Sequence, residues 1–376
     1  MRILLICYDS PLNCSYGAGL RTNHIWHALK AAGDVSTLVM EPSHTTEVDV
    51  NPHEAEMGRI RFKKPNVPWL TPETTKIRHL VTALLSGKQF DLVVVRYLRL
   101  AMLIQPCVNA PMIVDGDDLN KLETSLTKGW LDRSLDNLKT KIRRAVTRHE
   151  IAQFQHVWYV NPLDKERFPA KSGSVLPNVT RMPLALAPPY RAQTATVLMV
   201  GKLSYEPNTE GADFFIREVL PALRQSVPGA TLRLVGQCTP ELKARWGAVA
   251  GVEVAGFVDD LAHEYSSAWV VVAPVFSGGG TQIKVLEALS YGCGVVVSEF
   301  SANGFSPQLR ANEHMLVARN AAHWLEHCLT LIRSPAKASE LGKAGRQVIS
   351  EKYSNESMAR EIVTTIAQIN VHATAH

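Results

Sequence analysis

The stretch Ala268–Ser298, AWVVVAPVFSGGGTQIKVLEALSYGCGVVVS, contains two apolar runs separated by a glycine-rich loop and a helical pattern. Trp269–Phe276 is almost entirely apolar, which predicts a buried strand of a parallel sheet. Apolar residues then recur at helical spacing over Ile283–Leu289, and Gly292 marks the end of that helix. A second buried strand is predicted over Gly294–Val297. This order of strand, loop, helix and strand predicts a βαβ unit and therefore an α/β fold.

The loop of this unit joins the carboxyl end of a strand to the N-terminus of a helix, and it consists of Gly278, Gly279, Gly280 and Thr281. Unpaired N–H groups and the helix dipole favour an anion at such a point. Lys284 and Glu287 are three residues apart and so share one helix face. A cation near phosphates and a carboxylate near ribose hydroxyls would form a nucleotide-diphosphate site. Glycine-rich turns also occur only to let a chain turn, and this one matches neither the Walker nor the GxGxxG pattern.

The whole segment resembles the donor site of GT-B glycosyltransferases, in particular the retaining family 4. In that family a glycine-rich loop runs into an "LEA" helix and then a "G-x-x-V-V" strand. Glu287 matches the carboxylate that binds the donor ribose, whereas Gly279 stands where the family commonly carries a second Glu that touches the donor sugar. A branch with a Gly-Gly-Gly-Thr loop and a Lys before "LEA" shares this change. The resemblance implies an active variant with GT-B architecture, in which two Rossmann-like domains face a central cleft.

Length and composition fit a soluble two-domain protein. The chain has 376 residues, 46% of them hydrophobic, and a net charge of +5. This mildly basic balance suits anionic substrates or a membrane surface but is too small to indicate nucleic acid. Six scattered cysteines lack a CxxC pair, which favours a reduced cytoplasmic protein over a disulfide or zinc framework. Neither a signal peptide nor a membrane span is predicted.

The N-terminus predicts a first strand over Arg2–Cys7, a loop with Gly17 and Gly19, and a helix over Leu20–Ala32. Small residues at this turn suit an anion, although a simple tight turn explains them equally well. GT-B enzymes begin in this way. The resemblance therefore places both glycines at the donor and Arg21 just beyond, on the acceptor side.

A short acidic run, Asp115–Asp118, follows a predicted strand over Met112–Val114. Asp-x-Asp resembles the metal motif of the other glycosyltransferase fold, GT-A, but such strings also serve as helix N-caps. GT-B enzymes generally need no metal, so we predict no metal site and no cofactor. The position is suitable for a catalytic group, which we assign to Asp117. The other predicted acceptor-side residues are Arg21, Arg96, Asp115 and Asp118.

A long helix is predicted over Asp132–Phe154, with an inward face formed by Leu135, Leu138, Ile142, Ala145 and Ile151. Its polar side carries five cations, namely Lys139, Lys141, Arg143, Arg144 and Arg148. Such a face is usually only solvated. A basic amphipathic helix can also rest on anionic lipid, which would suit a lipid-linked acceptor and a peripheral location on the inner face of a membrane. Both readings stay open.

Residues 182–196, rich in Ala and Pro, predict an interdomain linker. The predicted acceptor-side domain is therefore 1–190, with a C-terminal helix at about 356–376 packing back on it, and the donor domain is 191–355. The donor domain opens with a strand over Val197–Gly201. Lys202 follows and resembles the cation of the family's "G-R/K-L" turn, which meets the donor diphosphate. Asn208 stands where relatives carry a second cation, and Lys284 is predicted to replace that charge.

In relatives the nucleotide base packs beside two strand ends, contacted largely by the backbone. Here those strands are predicted over Thr231–Gly236 and Val252–Val258. Gly236, Phe257 and Val258 are therefore candidate base contacts. They do not distinguish uridine from guanosine.

The resemblance implies transfer of a sugar from a nucleotide diphosphate sugar to an acceptor hydroxyl with retention, in bacterial-type polysaccharide, glycolipid or glycoconjugate assembly. The predicted catalytic residues are Lys202, Lys284, Glu287 and Asp117. Two alternatives stay open at this point: a sugar-nucleotide epimerase of the same fold, and a binding or partner subunit that lost catalysis, which Gly279 and Asn208 would permit. A nicotinamide-dependent dehydrogenase is disfavoured because the chain lacks GxGxxG followed by an acid.

Overall fold

The computed structural model describes residues 1–13, 17–44, 46–49, 56–63, 71–117, 119, 130–183, 195–278 and 282–373. The chain divides into two compact units, one formed by Met1–Val179 with Asn355–His376 and the other by Thr180–Ser354. Residues 184–194, which contain most of the predicted linker, lie outside the described part. No helix in the described ranges is long and apolar enough to cross a bilayer.

The first unit is built on an eight-stranded sheet with the order β3-β4-β2-β1-β5-β6-β7-β8. All neighbouring strands are parallel except β3 and β4. The strands are β1 Arg2–Cys7, β2 Asp34–Ser43, β3 Glu47–Asp49, β4 Gly58–Lys63, β5 Leu92–Arg96, β6 Met112–Asp115, β7 His156–Tyr159 and β8 Gly173–Val175.

Two helices of the first unit begin at side-chain caps. Thr71 and Asn161 cap them by accepting hydrogen bonds from the backbone N–H groups of Thr74 and Asp164, and a Pro follows each cap. The helices are α1 Gly17–Ala32, α2 Pro72–Leu85, α3 Leu98–Ile104, α4 Trp130–Ile151 and α5 Pro162–Arg167, with a 3-10 turn at Gln105–Cys107.

The second unit has a six-stranded sheet, parallel throughout, with the order β11-β10-β9-β12-β13-β14. Its strands are β9 Thr196–Val200, β10 Thr231–Val235, β11 Val252–Gly256, β12 Val270–Ala273, β13 Val295–Ser298 and β14 Leu316–Ala318. Its helices are α6 Glu206–Phe214, α7 Leu220–Ser226, α8 Pro240–Gly247, α9 Ala262–Ser267, α10 Ile283–Ser290, α11 Glu299–Asn303, α12 Ala321–Arg333 and α13 Pro335–Lys352, with a π-helical turn at Phe215–Val219 between α6 and α7.

The last helix, α14 Asn355–Ala373, belongs to the first unit. Its buried Ile362 and Ile366 pack in one apolar cluster with Ile25 and Leu29 of α1. Because both faces of the sheet are covered, successive residues of β1 and of β9 alternate between two apolar clusters. Each sheet is therefore buried on both sides, and its polar functional groups are confined to the strand ends.

Two sequence-based boundaries near the predicted site need correction. The strand predicted over Trp269–Phe276 is shorter, because β12 ends at Ala273 and Pro274 offers no N–H to continue a ladder. The predicted loop with Gly17 and Gly19 is already helical, since α1 starts at Gly17.

The predicted inward face of α4 is wrong in its second half. Ile151 is fully buried, but Ile142 is 56% exposed and Ala145 is also exposed. Ile142 and Ile151 are nine residues apart, which at about 100° per residue places them on opposite sides of the helix. The side chains of Leu135 and Leu138 lie outside the described part.

Candidate functional site

The candidate donor site lies at the carboxyl edge of the second sheet. In a parallel α/β sheet this edge collects the loops that follow each strand and the N-termini of the helices. Lys202 follows β9, Gly236 follows β10, and Phe257 and Val258 follow β11. The loop after β12 leads to α10, which carries Lys284 and Glu287.

Two glycines allow the ends of β9 and β10 to approach closely. Gly236 has a φ of 132°, and a Cβ placed there would lie 1.8 Å from the carbonyl oxygen of Gly201. A side chain at position 236 would therefore collide with backbone. The lack of a side chain at Gly236 therefore lets the ends of β9 and β10 lie against each other.

Lys284 reaches from α10 to the end of β9. Its ammonium donates a hydrogen bond to the side-chain oxygen of Asn208, which directly follows Pro207 in the first turn of α6. The amide nitrogen of Asn208 in turn donates to the carbonyl oxygen of Lys202 at 2.8 Å. A Cβ at Gly201 would lie 3.3 Å from the Lys284 Nζ, so the ammonium sits directly against the strand end.

Burial changes the proton affinity of this lysine. Loss of hydration lowers the pKa of Lys284 to about 8, and the nearby carboxylate of Glu287 opposes that shift. The ammonium is thus held by a neutral amide and by a carboxylate one turn away. A diphosphate bound here would form an ion pair with this poorly hydrated ammonium.

Glu287 lies deeper on the same helix face. The hydroxyl of the buried Tyr265 donates a hydrogen bond to its Oε2 at 3.1 Å, and the Tyr265 ring stacks on Tyr291 with centroids 5.0 Å apart. Burial raises the pKa of Glu287 above its ordinary value, while Tyr265 and Lys284 act in the opposite direction. The carboxylate is therefore oriented before any ligand binds.

The outer part of this site carries exposed groups. Phe257 is 72% exposed, Tyr205 is 48% exposed, and Lys202 is exposed as well. Gly278 has a φ of 110°, and a Cβ there would lie 3.1 Å from the Tyr205 hydroxyl. Aromatic surface at a strand end suits stacking of a nucleobase. Gly279, Gly280 and Thr281 lie outside the described residues.

The first unit places the predicted acceptor-side residues in a buried network of charges. Both guanidinium groups bind the carboxylate of Asp115. Arg21 donates to it at 2.5 and 3.0 Å, and Arg96 donates at 2.9 Å. Arg21 also donates to the side-chain oxygen of Asn178 and to the carbonyl oxygen of Leu176.

Burial decides what these groups can do. Arg96 and Asp115 are 0% exposed and Arg21 is 2% exposed, so in this structure they position backbone rather than present charge. Burial alone would raise the pKa of Asp115, but the two arginines lower it below its ordinary value. Contact of Arg21, Arg96 or Asp115 with an acceptor stays a prediction. Their burial does not support it. Gly17 and Gly19 lie in the first turn of α1, next to Arg21.

Asp117 differs from Asp115 because part of its side chain reaches solvent. Its Oδ2 accepts a hydrogen bond from the Nη2 of Arg96 at 2.6 Å, and the side chain is 15% exposed. Asp117 is therefore oriented by the network and accessible from outside it. Asp118 lies outside the described residues. Among those described, no cluster of three or more His, Cys, Asp or Glu side chains could hold a metal ion.

The sequence reasoning missed one group in each unit. Tyr265 comes from α9, and no local spacing relates it to Glu287, 22 residues later. Tyr97 has a φ of 80°, unusual for a residue other than glycine, and its ring lies 4.7 Å from the Cζ of Arg96. Only its place directly after Arg96, at the end of β5, could have marked it.

Comparison with known proteins agrees with this geometry. Residues 194–334 match the family model described as glycosyl transferases group 1. Sucrose-phosphate synthase from Thermosynechococcus elongatus is similar over 99% of both chains, with 18% identity and a TM-score of 0.73. HepE from Anabaena, solved with UDP and glucose, is similar over 98% of this chain and 100% of its own, with 15% identity and a TM-score of 0.68. A search of curated proteins found no match.

The lipopolysaccharide outer core galactosyltransferase WaaB also shares the fold, with 13% identity, a TM-score of 0.67 and coverage of 98% of this chain and 99% of its own. These likenesses confirm the predicted GT-B fold, in which each unit is Rossmann-like. The family match covers residues 194–334, so within the second unit the chain is similar to group 1 glycosyl transferases.

The buried network yields a prediction about stability. Asp115→Asn leaves two buried guanidinium groups without their shared carboxylate, so we expect a loss of about 3–5 kcal/mol in the free energy of unfolding. Asp91→Asn is the matched control, because Asp91 pairs with Arg2 at the exposed opposite edge and should lose at most about 1 kcal/mol. Urea denaturation followed by circular dichroism measures both.

The same variant has a defined pH dependence. Because the folded pKa of Asp115 is depressed, its stabilisation is present above the unfolded value of ~3.9 and is lost as pH falls through the folded pKa. The stability gap between wild type and Asp115→Asn should therefore narrow below about pH 4. A gap that stays constant there would contradict an ionised Asp115.

Proposed function

We propose that this enzyme transfers a hexose from a uridine diphosphate sugar to an acceptor hydroxyl, with retention at the anomeric carbon. The observation that carries the proposal is the pair of groups on α10, a desolvated lysine ammonium at the end of β9 and an oriented carboxylate one turn deeper. Likeness to HepE, whose structure was solved with UDP-glucose, favours uridine and glucose as base and sugar.

In this proposal the cations stabilise the departing diphosphate. Negative charge builds on the leaving oxygens as the sugar becomes cationic, and a fixed, poorly hydrated cation stabilises that charge more than water does. Lys284 would contact the phosphates from the end of β9, with Lys202 as the exposed second cation. Asn208 fixes the Lys284 ammonium, so its reorganisation during the reaction is small.

Glu287 would accept hydrogen bonds from the ribose hydroxyls. The Tyr265 hydroxyl holds one carboxylate oxygen, which sets the orientation of the group. Binding energy from the nucleotide would then position the reacting bond. Phe257 is an exposed ring that a uracil could cover. Asp117 is the proposed acceptor-side base or positioning group.

We further propose that the acceptor is presented at the cytoplasmic face of a membrane, in polysaccharide, glycolipid or glycoconjugate assembly. The support is one face of α4, where Ile142 is 56% and Val146 is 49% exposed, four residues apart. Lys141, Arg143 and Arg148 are exposed beside them. Exposed apolar groups flanked by cations suit an anionic bilayer better than bulk water.

Nucleotide binding provides the first test. In a thermal-shift screen of UDP, GDP, TDP and ADP, we expect UDP to stabilise the protein most. Occupancy at about 100 times the dissociation constant adds about 2.7 kcal/mol. Glu287→Ala should weaken UDP binding by roughly 1–3 kcal/mol, since it removes charge-assisted hydrogen bonds.

Glu253→Gln is the control for this measurement, because Glu253 is a surface residue of β11 paired with Arg233. Its UDP affinity should equal that of the wild type. A Glu287→Ala variant that binds UDP normally would contradict the ribose role. Stronger stabilisation by another nucleotide would replace uridine in the proposal.

The Lys284 and Asn208 pair is tested by exchanging the two groups. Lys284→Ala should lower turnover by about 10²–10³-fold while leaving uridine affinity unchanged, because uridine has no phosphate. The double variant Asn208→Lys with Lys284→Asn should recover much of the activity, since it returns a cation to the same place. Equal losses in single and double variants would contradict a role on the diphosphate.

The lowered pKa of Lys284 adds a pH criterion. Diphosphate binds the charged form, so the affinity of the wild type for UDP should fall as pH rises through about 8. Lys284→Arg keeps its charge throughout this range and should lose that dependence. Isothermal titration calorimetry at several pH values measures the UDP affinity of both proteins.

Vesicle co-sedimentation tests the α4 face. Binding to vesicles of phosphatidylcholine with phosphatidylglycerol should exceed binding to phosphatidylcholine alone and should fall with salt. Lys141→Gln with Arg143→Gln should weaken it by about fivefold for each charge. Arg217→Gln, an exposed arginine of the second unit, is the control. Equal binding to both vesicle types, or none, would contradict the membrane contact.

A further inference from the structure

The short helix α9 carries two neighbouring side chains that contact two different elements of the second unit. Arg233 of β10 donates two hydrogen bonds to the carboxylate of the buried Glu264, at 2.6 and 2.7 Å. Tyr265 is the next residue, and its hydroxyl reaches Glu287 of α10. A helix of six residues is not stable by itself, so this bidentate ion pair helps to fix α9 against the sheet.

The Tyr265 side chain is held in place by its surroundings. It is 1% exposed, and its ring stacks on Tyr291 with centroids 5.0 Å apart and an angle of 20° between the planes. Its backbone N–H donates to the carbonyl oxygen of Leu261 at 3.0 Å, and its own carbonyl oxygen accepts from the Cys293 thiol at 3.4 Å. The hydroxyl therefore stays beside the Glu287 carboxylate.

This hydroxyl acts as a donor throughout the neutral pH range. Burial and the neighbouring Glu287 raise the pKa of Tyr265 well above its ordinary value, so the hydroxyl keeps its proton. The titratable groups that face Glu287 are Tyr265, Lys284 and Tyr291. Tyr265 and Lys284 both favour the ionised carboxylate.

The two oxygens of the Glu287 carboxylate are consequently not equivalent. Oε2 accepts the hydrogen bond from Tyr265 at 3.1 Å, whereas Oε1 accepts none from any residue that the structure describes. Glu287 is only half-buried, so a ligand can reach it. An ionised carboxylate has about four lone-pair sites. Oε1 and the remaining lone pair of Oε2 are therefore available to ligand hydroxyls, while Tyr265 prevents the group from rotating freely.

We propose that Tyr265 is a positioning residue that makes this site select ribonucleotides over deoxyribonucleotides. The two adjacent hydroxyls of a ribose can both donate to a carboxylate of fixed orientation. An analogue that lacks one hydroxyl leaves a poorly hydrated, charged oxygen without a donor, and a site built for a hydroxyl rejects such an analogue. Without Tyr265 the carboxylate can turn toward the remaining hydroxyl or toward water. The inference rests on the proposed ribose role of Glu287.

Isothermal titration calorimetry on the full chain tests this selection, with UDP and its 2′-deoxy and 3′-deoxy analogues as probes. We expect the wild type to bind UDP about tenfold more tightly than at least one of the analogues. In Tyr265→Phe the affinity for UDP should fall about fivefold, and the affinity for that analogue should change by less than about twofold. The preference for the ribonucleotide would then nearly disappear.

The pH dependence of UDP binding gives a second measure of the same contact. Because the hydrogen bond from Tyr265 lowers the pKa of Glu287, Tyr265→Phe should raise it, and only the ionised carboxylate accepts from both hydroxyls. The ratio of wild-type to variant affinity should therefore increase as pH falls below 7. Ionisation of the UDP phosphate is the same in both titrations and cancels in this ratio.

Tyr353→Phe is the matched control, because it removes the hydroxyl of another buried tyrosine of the second unit, whose ring packs edge-on against Phe305. Its preference for UDP and its pH profile should equal those of the wild type. Equal losses for UDP and both analogues in Tyr265→Phe, or an unchanged preference, would overturn the inference while leaving the donor site intact. A wild type that does not bind UDP would instead contradict the proposed function, and the inference with it.

Discussion

The candidate donor site depends on one interaction, the contact of the Lys284 ammonium with the Asn208 amide at the end of β9. A lysine so poorly hydrated is costly unless a partner or a ligand compensates it. Here a neutral amide holds it in place without neutralising its charge. The cation therefore remains available for an anionic ligand, and the same burial that lowers its pKa would strengthen its attraction to a diphosphate.

The surrounding structure serves to make that contact possible. Gly201 leaves room for the ammonium, and Gly236 allows β10 to approach the same strand end. Tyr265 orients Glu287 one turn deeper on α10. Each of these groups comes from a different strand end or helix of the second sheet. Parallel topology brings them to one edge, which is why distant parts of the sequence form one site.

The first unit uses charge in a different way. Arg21 and Arg96 both form ion pairs with Asp115, and all three side chains are buried. Their charges hold the end of β6 against α1 and the end of β5. Asp117 sits at the margin of this network and keeps a partly exposed carboxylate. One buried network thus supports an accessible acid without exposing its own charges.

The sequence by itself determined the α/β class, the strand, loop, helix and strand order of residues 268–298, and the placement of Lys284 and Glu287 on one helix face. These features are local, since apolar runs and helical spacing lie within a few residues of one another. The family resemblance was carried by the same local string. Boundaries were less certain where tertiary contacts compete, as at Pro274 and at the start of α1.

Only the tertiary structure decided which groups meet. It paired Asn208 with Lys284, 76 residues away, and Tyr265 with Glu287. It also showed that Asp115 is buried while Asp117 is accessible, although the two are separated by one residue. Ile142 faces outward for the same reason, because the packing of Ile151 fixes the rotation of α4. Burial and long-range pairing depend on how whole helices and strands pack together. The spacing of residues along the sequence does not determine that packing.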